Sequence, residues 1–322
     1  MNYKRRRFLK HSALAGTGII LSPWLLNSCQ PDSGEKNDSE SAGTSPTELF
    51  FKISLAEWSL NRQLFGKEID HLDFAKITKE TFGIEGVEYV NQFFFDKAKD
   101  QAYLTEMKTR ADDLGVKSLI IMVDREGGLG GLDDAKRKEA VENHYKWVEA
   151  AQFLGCHSIR VNAYGEGTAE EVAAAAIDGL GSLSTFAKDF GLNVIVENHG
   201  GYSSNGQWLA NVISQVGMAN CGTLPDFGNF CIERGEDGCK EEYDRYQGVT
   251  EMMPFAKAVS AKTHEFDAEG NHVGTDYMKM MKIVKDAGYT GYVGIEFEGR
   301  GDAYEGIKKT KAVLEKVGKE LS

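Results

Sequence analysis

The chain has 322 residues, a formal net charge of −12 and 41% hydrophobic residues. Its first 28 residues contain five Lys or Arg and no acidic residue, so the rest of the chain carries −17. A chain with such a large negative charge repels phosphate backbones and anionic lipid head groups, and this argues against nucleic acid as a partner. The part of the chain that follows residue 48 is long enough for one large domain and fits two domains of ordinary size less well.

The N-terminus has the pattern of an export signal over residues 1–28. Arg5 and Arg6 precede an apolar run over 13–26, and Cys29 follows. This is typical of a twin-arginine signal peptide, and Cys29 predicts a lipidated lipoprotein, with plain cleavage as the alternative. A transmembrane anchor fits less well, because the run is shorter than the roughly 20 residues of a membrane span and contains Gly and Pro.

Residues 29–48 are rich in Ser, Glu, Asp, Gly and Pro and contain almost no apolar residue. Such a composition cannot bury a core, so it predicts a flexible tether between Cys29 and the folded domain. We therefore expect export by the twin-arginine route to the periplasm, with a lipid anchor to the membrane through Cys29.

From residue 49 onward one pattern recurs: an amphipathic helix, an apolar or aromatic residue, Gly, and then a short strand. The glycines of this pattern are Gly83, Gly115, Gly155, Gly191, Gly217 and Gly288. Glycine adopts the left-handed conformation that ends a helix and turns the chain into a strand. With further strands in FKISLAEWS and AVSAKTHEF, eight strands are predicted. The predicted helices cover residues 67–81, 101–114, 133–154, 169–190, 207–216, 241–253, 276–287 and 302–317.

Eight strand–helix pairs favour a (β/α)₈ TIM barrel, an α/β fold with a single domain over 49–322, rather than an open sheet. A dinucleotide-binding fold is disfavoured because no G-x-G-x-x-G follows the first strand. The segment EGGLGGLDD after the third strand lacks the Lys and Ser or Thr of a phosphate-binding loop. A mobile active-site loop and a simple flexible connection both fit this segment.

The cysteines after Cys29 fall into two pairs. Cys156 and Cys221 lie in predicted strands and are expected to be small buried residues. Cys231 and Cys239 lie eight residues apart in one loop and could form a disulfide in an oxidising periplasm. The sequence leaves that pairing open.

Four successive predicted strands in the second half each end in a residue that can bind a metal: Glu197, Asp226, His264 and Glu296. The active site of a TIM barrel lies where the carboxyl ends of its strands meet. Side chains alternate along a strand, so Lys262 is predicted to face the barrel interior together with His264, and Gly294 together with Glu296. Three carboxylates and one imidazole predict one divalent ion, Mn²⁺ first, with Mg²⁺, Co²⁺ or Zn²⁺ as alternatives.

With these residues the chain resembles the xylose-isomerase-like family of sugar isomerases and epimerases, a TIM-barrel group, over roughly 50–317. The resemblance implies that Glu197, Asp226, His264 and Glu296 bind the metal. It also implies that Glu197 and Glu296 are catalytic, on opposite faces of the substrate carbon. The implied activity is isomerisation or epimerisation of a sugar or keto-sugar, by proton abstraction next to a carbonyl through an enediolate. The implied partner is a small carbohydrate.

Further residues are candidates for contacting the substrate: Trp58, Glu88, Arg160, Asn162, His199 and Lys262. A rim salt bridge for Glu88, a loop position for His199 and an ion pair inside the barrel for Arg160 are the alternatives. Lys262 is expected to meet a site carboxylate or the substrate oxygen, because an unpaired ammonium inside a barrel is costly. Tyr89, Phe93 and Tyr164 also follow strand ends, where aromatic rings can stack on a sugar or pack in the core.

The chain departs from parts of this family. Ketose 3-epimerases carry a His three residues after the Asp ligand and an Arg six after the His ligand, whereas this chain has Asn229 and Gly270. Asn229 and the acidic surface also argue against the DNA-repair endonucleases of the superfamily, which need extra histidines.

Two alternative functions remain. One is a metal-dependent lyase or dehydratase that eliminates a β-substituent from a 3-keto-glycoside. The other is a non-catalytic carbohydrate-binding lipoprotein. The presence of both Glu197 and Glu296 favours an enzyme, because binding alone does not require two opposed bases. A homo-oligomer is compatible with the sequence.

Overall fold

Residues 48–322, which are the residues that the computed structural model describes, contain ten β-strands and nine α-helices. The predicted signal peptide and tether, apart from residue 48, lie outside this range. The strands are β1 (Lys52–Ala56), β2 (Gly86–Val90), β3 (Lys117–Met122), β4 (Ser158–Val161), β5 (Asn193–Glu197), β6 (Cys221–Leu224), β7 (Cys231–Gly235), β8 (Gly238–Glu242), β9 (Val259–Thr263) and β10 (Tyr292–Phe297).

Eight of these strands form one parallel sheet in the order β6-β5-β4-β3-β2-β1-β10-β9. The two edges of the sheet meet through bridges from Thr223 to Ala256 and from Asp226 to Ser260. The backbone N–H of Phe227 also donates to the carbonyl of Ser260 at 3.1 Å. The sheet therefore curls round on itself, and the predicted TIM barrel is confirmed.

The helices surround this barrel, and most lie within a few residues of their predicted bounds. They are α1 (Asn61–Phe65), α2 (Phe74–Phe82), α3 (Gln101–Asp113), α4 (Asp134–Leu154), α5 (Ala169–Lys188), α6 (Gly206–Val216), α7 (Arg245–Met252), α8 (Tyr277–Asp286) and α9 (Ala303–Leu321). All six glycines of the recurring pattern have positive φ, which is the left-handed geometry expected at helix ends. Within residues 48–322, no helix is both long and apolar enough to cross a membrane.

The largest difference from prediction is a hairpin between β6 and α7. The sequence predicts a helix from residue 241, but β7 and β8 pair antiparallel and α7 begins only at Arg245. Asp244 caps this helix, because its side chain accepts a hydrogen bond from the Gln247 N–H at 2.7 Å. A disulfide joins Cys231 to Cys239 across the hairpin, with 5.6 Å between their Cα atoms. Cys156 and Cys221 are free and buried, as predicted.

Two layers of apolar side chains pack on the sheet. The larger layer lies between strands and helices and includes the fully buried Trp147, Phe74 and Phe230. A smaller group fills part of the barrel interior, with residues from β1, β2, β3, β5 and β6 such as Ile120, Ile195 and Leu224. Buried polar side chains of the strands, such as Glu88, Glu197 and Lys262, share the barrel with this apolar group.

The glycine-rich segment 126–134 packs against the neighbouring β4–α5 connection and against α5. Leu129 is fully buried, and the N–H of Gly130 donates to the carbonyl of Tyr164 at 2.9 Å. Glycines on both sides allow the two backbones to touch, since a Cβ on Gly128 would lie 2.7 Å from the Tyr164 oxygen and a Cβ on Gly165 would lie 1.9 Å from the Gly130 oxygen. These contacts argue against a simple flexible connection.

Two glycines of α5 provide a matched test of this packing. A Cβ on Gly179 would lie 2.2 Å from the Leu129 oxygen, whereas a Cβ on Gly181 would meet no atom of the described residues within 4 Å. We expect Gly179→Ala to lower the free energy of unfolding by about 1–3 kcal/mol through overpacking. Gly181→Ala should raise it by about 0.5–1 kcal/mol, because Ala favours a helix over Gly. Urea denaturation measures both, and equal effects would contradict the packing.

Candidate active site

Three carboxylates from three different strands meet at the carboxyl end of the barrel. Glu197 ends β5, Asp226 follows β6, and Glu296 lies near the end of β10; one oxygen of each lies within 4.8 Å of the others. All three are buried, with relative exposures of 1%, 0% and 4%. Parallel strands end at the same edge of a sheet, so residues far apart in sequence converge there.

The fourth predicted ligand, His264, is not part of this group. Strand β9 ends at Thr263, so the alternation that directs side chains into the barrel stops one residue before His264. The His264 side chain is exposed, and its backbone N–H donates to Nε2 of His272 at 3.2 Å. The structure therefore brings three of the four predicted ligands together and leaves His264 outside the group.

Strand β9 instead supplies Ser260. Its Oγ lies 2.7 Å from Oδ2 of Asp226 and 3.0 Å from Oε2 of Glu296, and the residue is buried. In the sheet Ser260 is level with Gly294 on one side and with Asp226 on the other. A neutral hydroxyl thus lies between two of the three carboxylates.

Lys262 lies two residues further along β9, inside the barrel as the alternation predicts. Its Nζ is 2.9 Å from Oε1 of Glu296 and 3.9 Å from Oδ2 of Asp226, and it also contacts the carboxylate of Glu298. Burial by itself would lower the pKa of Lys262, but these carboxylates outweigh burial and hold it well above its usual range. The ammonium is therefore charged at the centre of the site.

Arg160 provides a second buried cation on the other side of the group. Its Nε is 2.9 Å from Oε2 of Glu197, and its Nη1 is 2.8 Å from Oδ1 of Asp124. Nδ2 of Asn162 donates to the same Asp124 oxygen at 2.8 Å, and Oδ1 of Asn162 lies 3.0 Å from Nδ1 of His199. His199 is exposed at the mouth of the barrel, so this network connects the buried glutamate to solvent.

Glu88 extends into the barrel from β2. It is fully buried and accepts a hydrogen bond from Oγ of Ser54 at 2.6 Å, and among residues 48–322 its second oxygen, Oε2, has no hydrogen-bond partner. A Cβ on Gly294 would lie 2.6 Å from the Glu88 carboxylate, which explains glycine at that position. Burial raises the pKa of Glu88 to about 7 against the opposing Ser54 hydrogen bond.

The turn that carries Asp226 is held by two asparagines. Oδ1 of Asn198 accepts from the Asp226 N–H at 2.7 Å, and its Nδ2 donates to the Asp226 carbonyl at 2.9 Å. Asn229 donates through its backbone N–H to Oδ1 of Asp226 at 2.8 Å and through Nδ2 to Oε1 of Glu197 at 3.0 Å. Asn229 therefore orients two members of the carboxylate group.

Aromatic residues form one wall of the mouth. The ring of Trp58 lies 6.0 Å from both Phe65 and Phe93, and Phe65 is 55% exposed. Tyr89 is instead a core residue, because it is buried against Phe74 and Phe94 between sheet and helices. Tyr164 is 62% exposed and lines, with Tyr202, Ile232 and Glu233, a cleft of about 410 Å³.

Burial sets the electrostatics of the carboxylate group. It raises the pKa values of Glu197 and Asp226 above their usual ranges, although Arg160 and Lys262 respectively act against the rise. The three clustered buried carboxylates of Glu197, Asp226 and Glu296 are a donor set that fits one hard divalent ion. The arrangement thus suggests a divalent metal without identifying it.

Three site residues were not predicted from the sequence: Asp124, Ser260 and Glu298. Asp124 follows β3 by two residues, so the strand-end rule that selects Glu197 could have selected it. Ser260 lies two residues from Lys262 within β9, so strand alternation could have identified it. Glu298 follows β10 by one residue, so the strand-end rule could have selected it as well.

Comparison with known proteins supports the fold. The family model described as the xylose isomerase-like TIM barrel matches residues 76–317. No curated protein matches the sequence.

Three similar solved structures are the IOLI protein with a bound zinc atom, a D-tagatose 3-epimerase-like protein, and the 3-keto-D-glucoside 4-epimerase YcjR from E. coli. The IOLI protein has a TM-score of 0.65 at 15% identity, covering 84% of this chain and 99% of its own. The epimerase-like protein has a TM-score of 0.64 at 17% identity, covering 84% and 100%. YcjR has a TM-score of 0.58 at 16% identity, covering 83% and 99%. At these identities the likeness shows the fold alone.

Proposed function

Since this chain belongs to the xylose isomerase-like TIM-barrel family, we propose that it is a divalent-metal-dependent isomerase or epimerase of a sugar or keto-sugar. The observation that carries the proposal is the group of Glu197, Asp226 and Glu296, three buried carboxylates within 4.8 Å at the end of a barrel. Two of them, Glu197 and Glu296, come from well-separated strands, so they can act on a substrate from different directions.

The reaction removes a proton next to a carbonyl, and one glutamate takes that proton while the other returns one. Burial raises the pKa of Glu197, which suits a group that must exchange a proton near neutral pH. Arg160 and Asn229 hold the Glu197 carboxylate from two sides, and Lys262 and Ser260 hold that of Glu296. Trp58, Asn162 and His199 are at the mouth, where ring stacking and hydrogen bonds can orient a sugar.

A divalent ion on Glu197, Asp226 and Glu296 would supply positive charge to the carbonyl oxygen as the neighbouring proton leaves. Three carboxylates and a hydroxyl are all oxygen groups. With His264 outside the group, the donor set favours Mn²⁺ or Mg²⁺ over Zn²⁺, which binds well to imidazole.

Solvent isotope exchange tests the reaction. Purified protein loaded with Mn²⁺ should incorporate deuterium from D₂O next to the carbonyl of a keto-sugar and form an isomer or epimer. Release of an aglycone and an unsaturated keto-sugar from a 3-keto-glycoside would instead establish the lyase alternative. Binding of sugars with no exchange and no product, across keto-sugars and glycosides, would leave a carbohydrate-binding protein.

We also propose that the chain is exported and anchored through Cys29. The disulfide between Cys231 and Cys239 supports an oxidising compartment, because disulfides are rare in the cytosol. Cys29→Ser should release the protein from membranes on fractionation, and unchanged membrane association of that variant would refute the anchor.

A further inference from the structure

The ammonium of Lys262 lies between two kinds of carboxylate. Glu296 and Asp226, at 2.9 Å and 3.9 Å from Nζ, belong to the three-carboxylate group. Glu298, which Nζ also contacts, lies one residue beyond the end of β10 and outside that group. The Glu298 side chain is 34% exposed, whereas those of Asp226 and Glu296 are almost completely buried. Lys262 therefore bridges the buried group and the solvent-facing mouth.

The strand order explains why Lys262 is the cation for this side of the group. Strands β5, β6 and β10 each deliver a carboxylate, whereas β9, between β6 and β10, delivers the neutral hydroxyl of Ser260 and then Lys262. Arg160 serves Glu197 on the opposite side. Among the described residues that contact Asp226 and Glu296, the positive charge thus comes from Lys262.

We propose that Lys262 is an internal counter-cation that competes with a divalent ion for Glu296 and Asp226, and that Glu298 retains the ammonium when the ion binds. An ion on these carboxylate oxygens would lie close to Nζ, and like charges at such distances in a buried site repel strongly. Lysine carries its charge on a flexible stem of four carbons, so Nζ can leave Glu296 while it keeps Glu298 as partner.

Competition of this kind couples the metal to the substrate. When the ion binds, the ammonium shifts from the buried group toward Glu298 and the mouth, where Trp58 lies. There it can donate to an oxygen of a bound sugar. This last step rests on the proposed function, whereas the competition itself rests only on the contacts of Lys262.

The test is the dissociation constant for Mn²⁺, measured without substrate by calorimetry or by the electron paramagnetic resonance of free Mn²⁺. Lys262→Met should bind Mn²⁺ at least about tenfold more tightly than wild type, because no ammonium has to be displaced. Glu298→Gln should bind it more weakly, because the displaced ammonium loses its second carboxylate. Lys282→Met, which removes an exposed ion pair with Asp286, should leave Mn²⁺ binding unchanged.

Unchanged or weaker Mn²⁺ binding by Lys262→Met would overturn the proposal, as would absence of Mn²⁺ binding in both wild type and Lys262→Met. If Lys262→Met does not fold, Glu298→Gln decides by itself, because it keeps Lys262 and all three ligands. Weaker binding by that variant supports the competition, and unchanged or tighter binding refutes it. If the variants show the expected changes in Mn²⁺ affinity but the wild type transforms no sugar, the proposed function is refuted and the competition remains established.

Discussion

Replacing Glu197 or Glu296 by Gln is expected to lower turnover by roughly 10²-fold or more while part of the metal affinity remains. Gln retains an oxygen and a similar volume but cannot take up a proton at near-neutral pH. The one carbonyl oxygen of Gln can still accept the hydrogen bond from Asn229 at position 197, or the one from Lys262 at position 296. The measurement is kcat on the substrate that the wild type turns over, together with bound metal by elemental analysis.

His264→Ala is the matched control, since His264 is exposed and lies outside the carboxylate group. This variant should keep its metal, whereas Asp226→Ala should lose it. The ligand set would be misassigned if His264→Ala lost its metal while Asp226→Ala kept metal at the wild-type level. Turnover of the Glu197→Gln, Glu296→Gln double variant equal to that of wild type would exclude both residues as the acid and base.

Isotope exchange separates the roles of the two glutamates. A variant that still exchanges the proton next to the carbonyl with D₂O but forms no epimer retains the base of one face and lacks the acid of the other. The complementary variant should then show neither exchange nor product. Identical behaviour of the two variants would argue against opposite faces.

Much of the fold follows from local signals in the sequence. The six glycines at helix ends fix where each helix stops, because a left-handed residue is needed there and glycine adopts it without strain. The hairpin of β7 and β8 could not be predicted in this way. Its strands are largely exposed and carry charges of both signs, so neither shows the apolar alternation that identifies a strand, and the cross-link between Cys231 and Cys239 depends on that pairing.

The site shows where strand-end reasoning fails. Glu197 and Glu296 lie within their strands, so alternation directs them inward, and Asp226 is held by the hydrogen bonds of Asn198 and Asn229. His264 has the right spacing from Lys262, but the strand ends at Thr263 and the alternation ends with it. Chemical type favoured His264 over Ser260, whereas the position within the strand decides which side chain reaches the interior.

Arg160→Met is expected to lower the free energy of unfolding by about 3–5 kcal/mol, because it leaves the buried Glu197 and the partly buried Asp124 without their cation. Arg160 is 4% exposed and lies within 2.9 Å of both Asp124 and Glu197. Urea denaturation in the presence of a chelator measures this cost without a contribution from bound metal. Lys282→Met, in an exposed pair with Asp286, is the control and should change stability by about 1 kcal/mol or less.

The double variant Arg160→Met, Asp124→Asn tests the cause of that loss. Asn keeps the shape of Asp124 and removes one of the two unpaired charges, so the double variant should recover part of the stability lost in Arg160→Met. Equal stability of the single and double variants would mean that lost packing of the Arg160 side chain, rather than unpaired charge, accounts for the effect. A recovery would establish that the unpaired charge of Asp124 accounts for part of the stability lost in Arg160→Met.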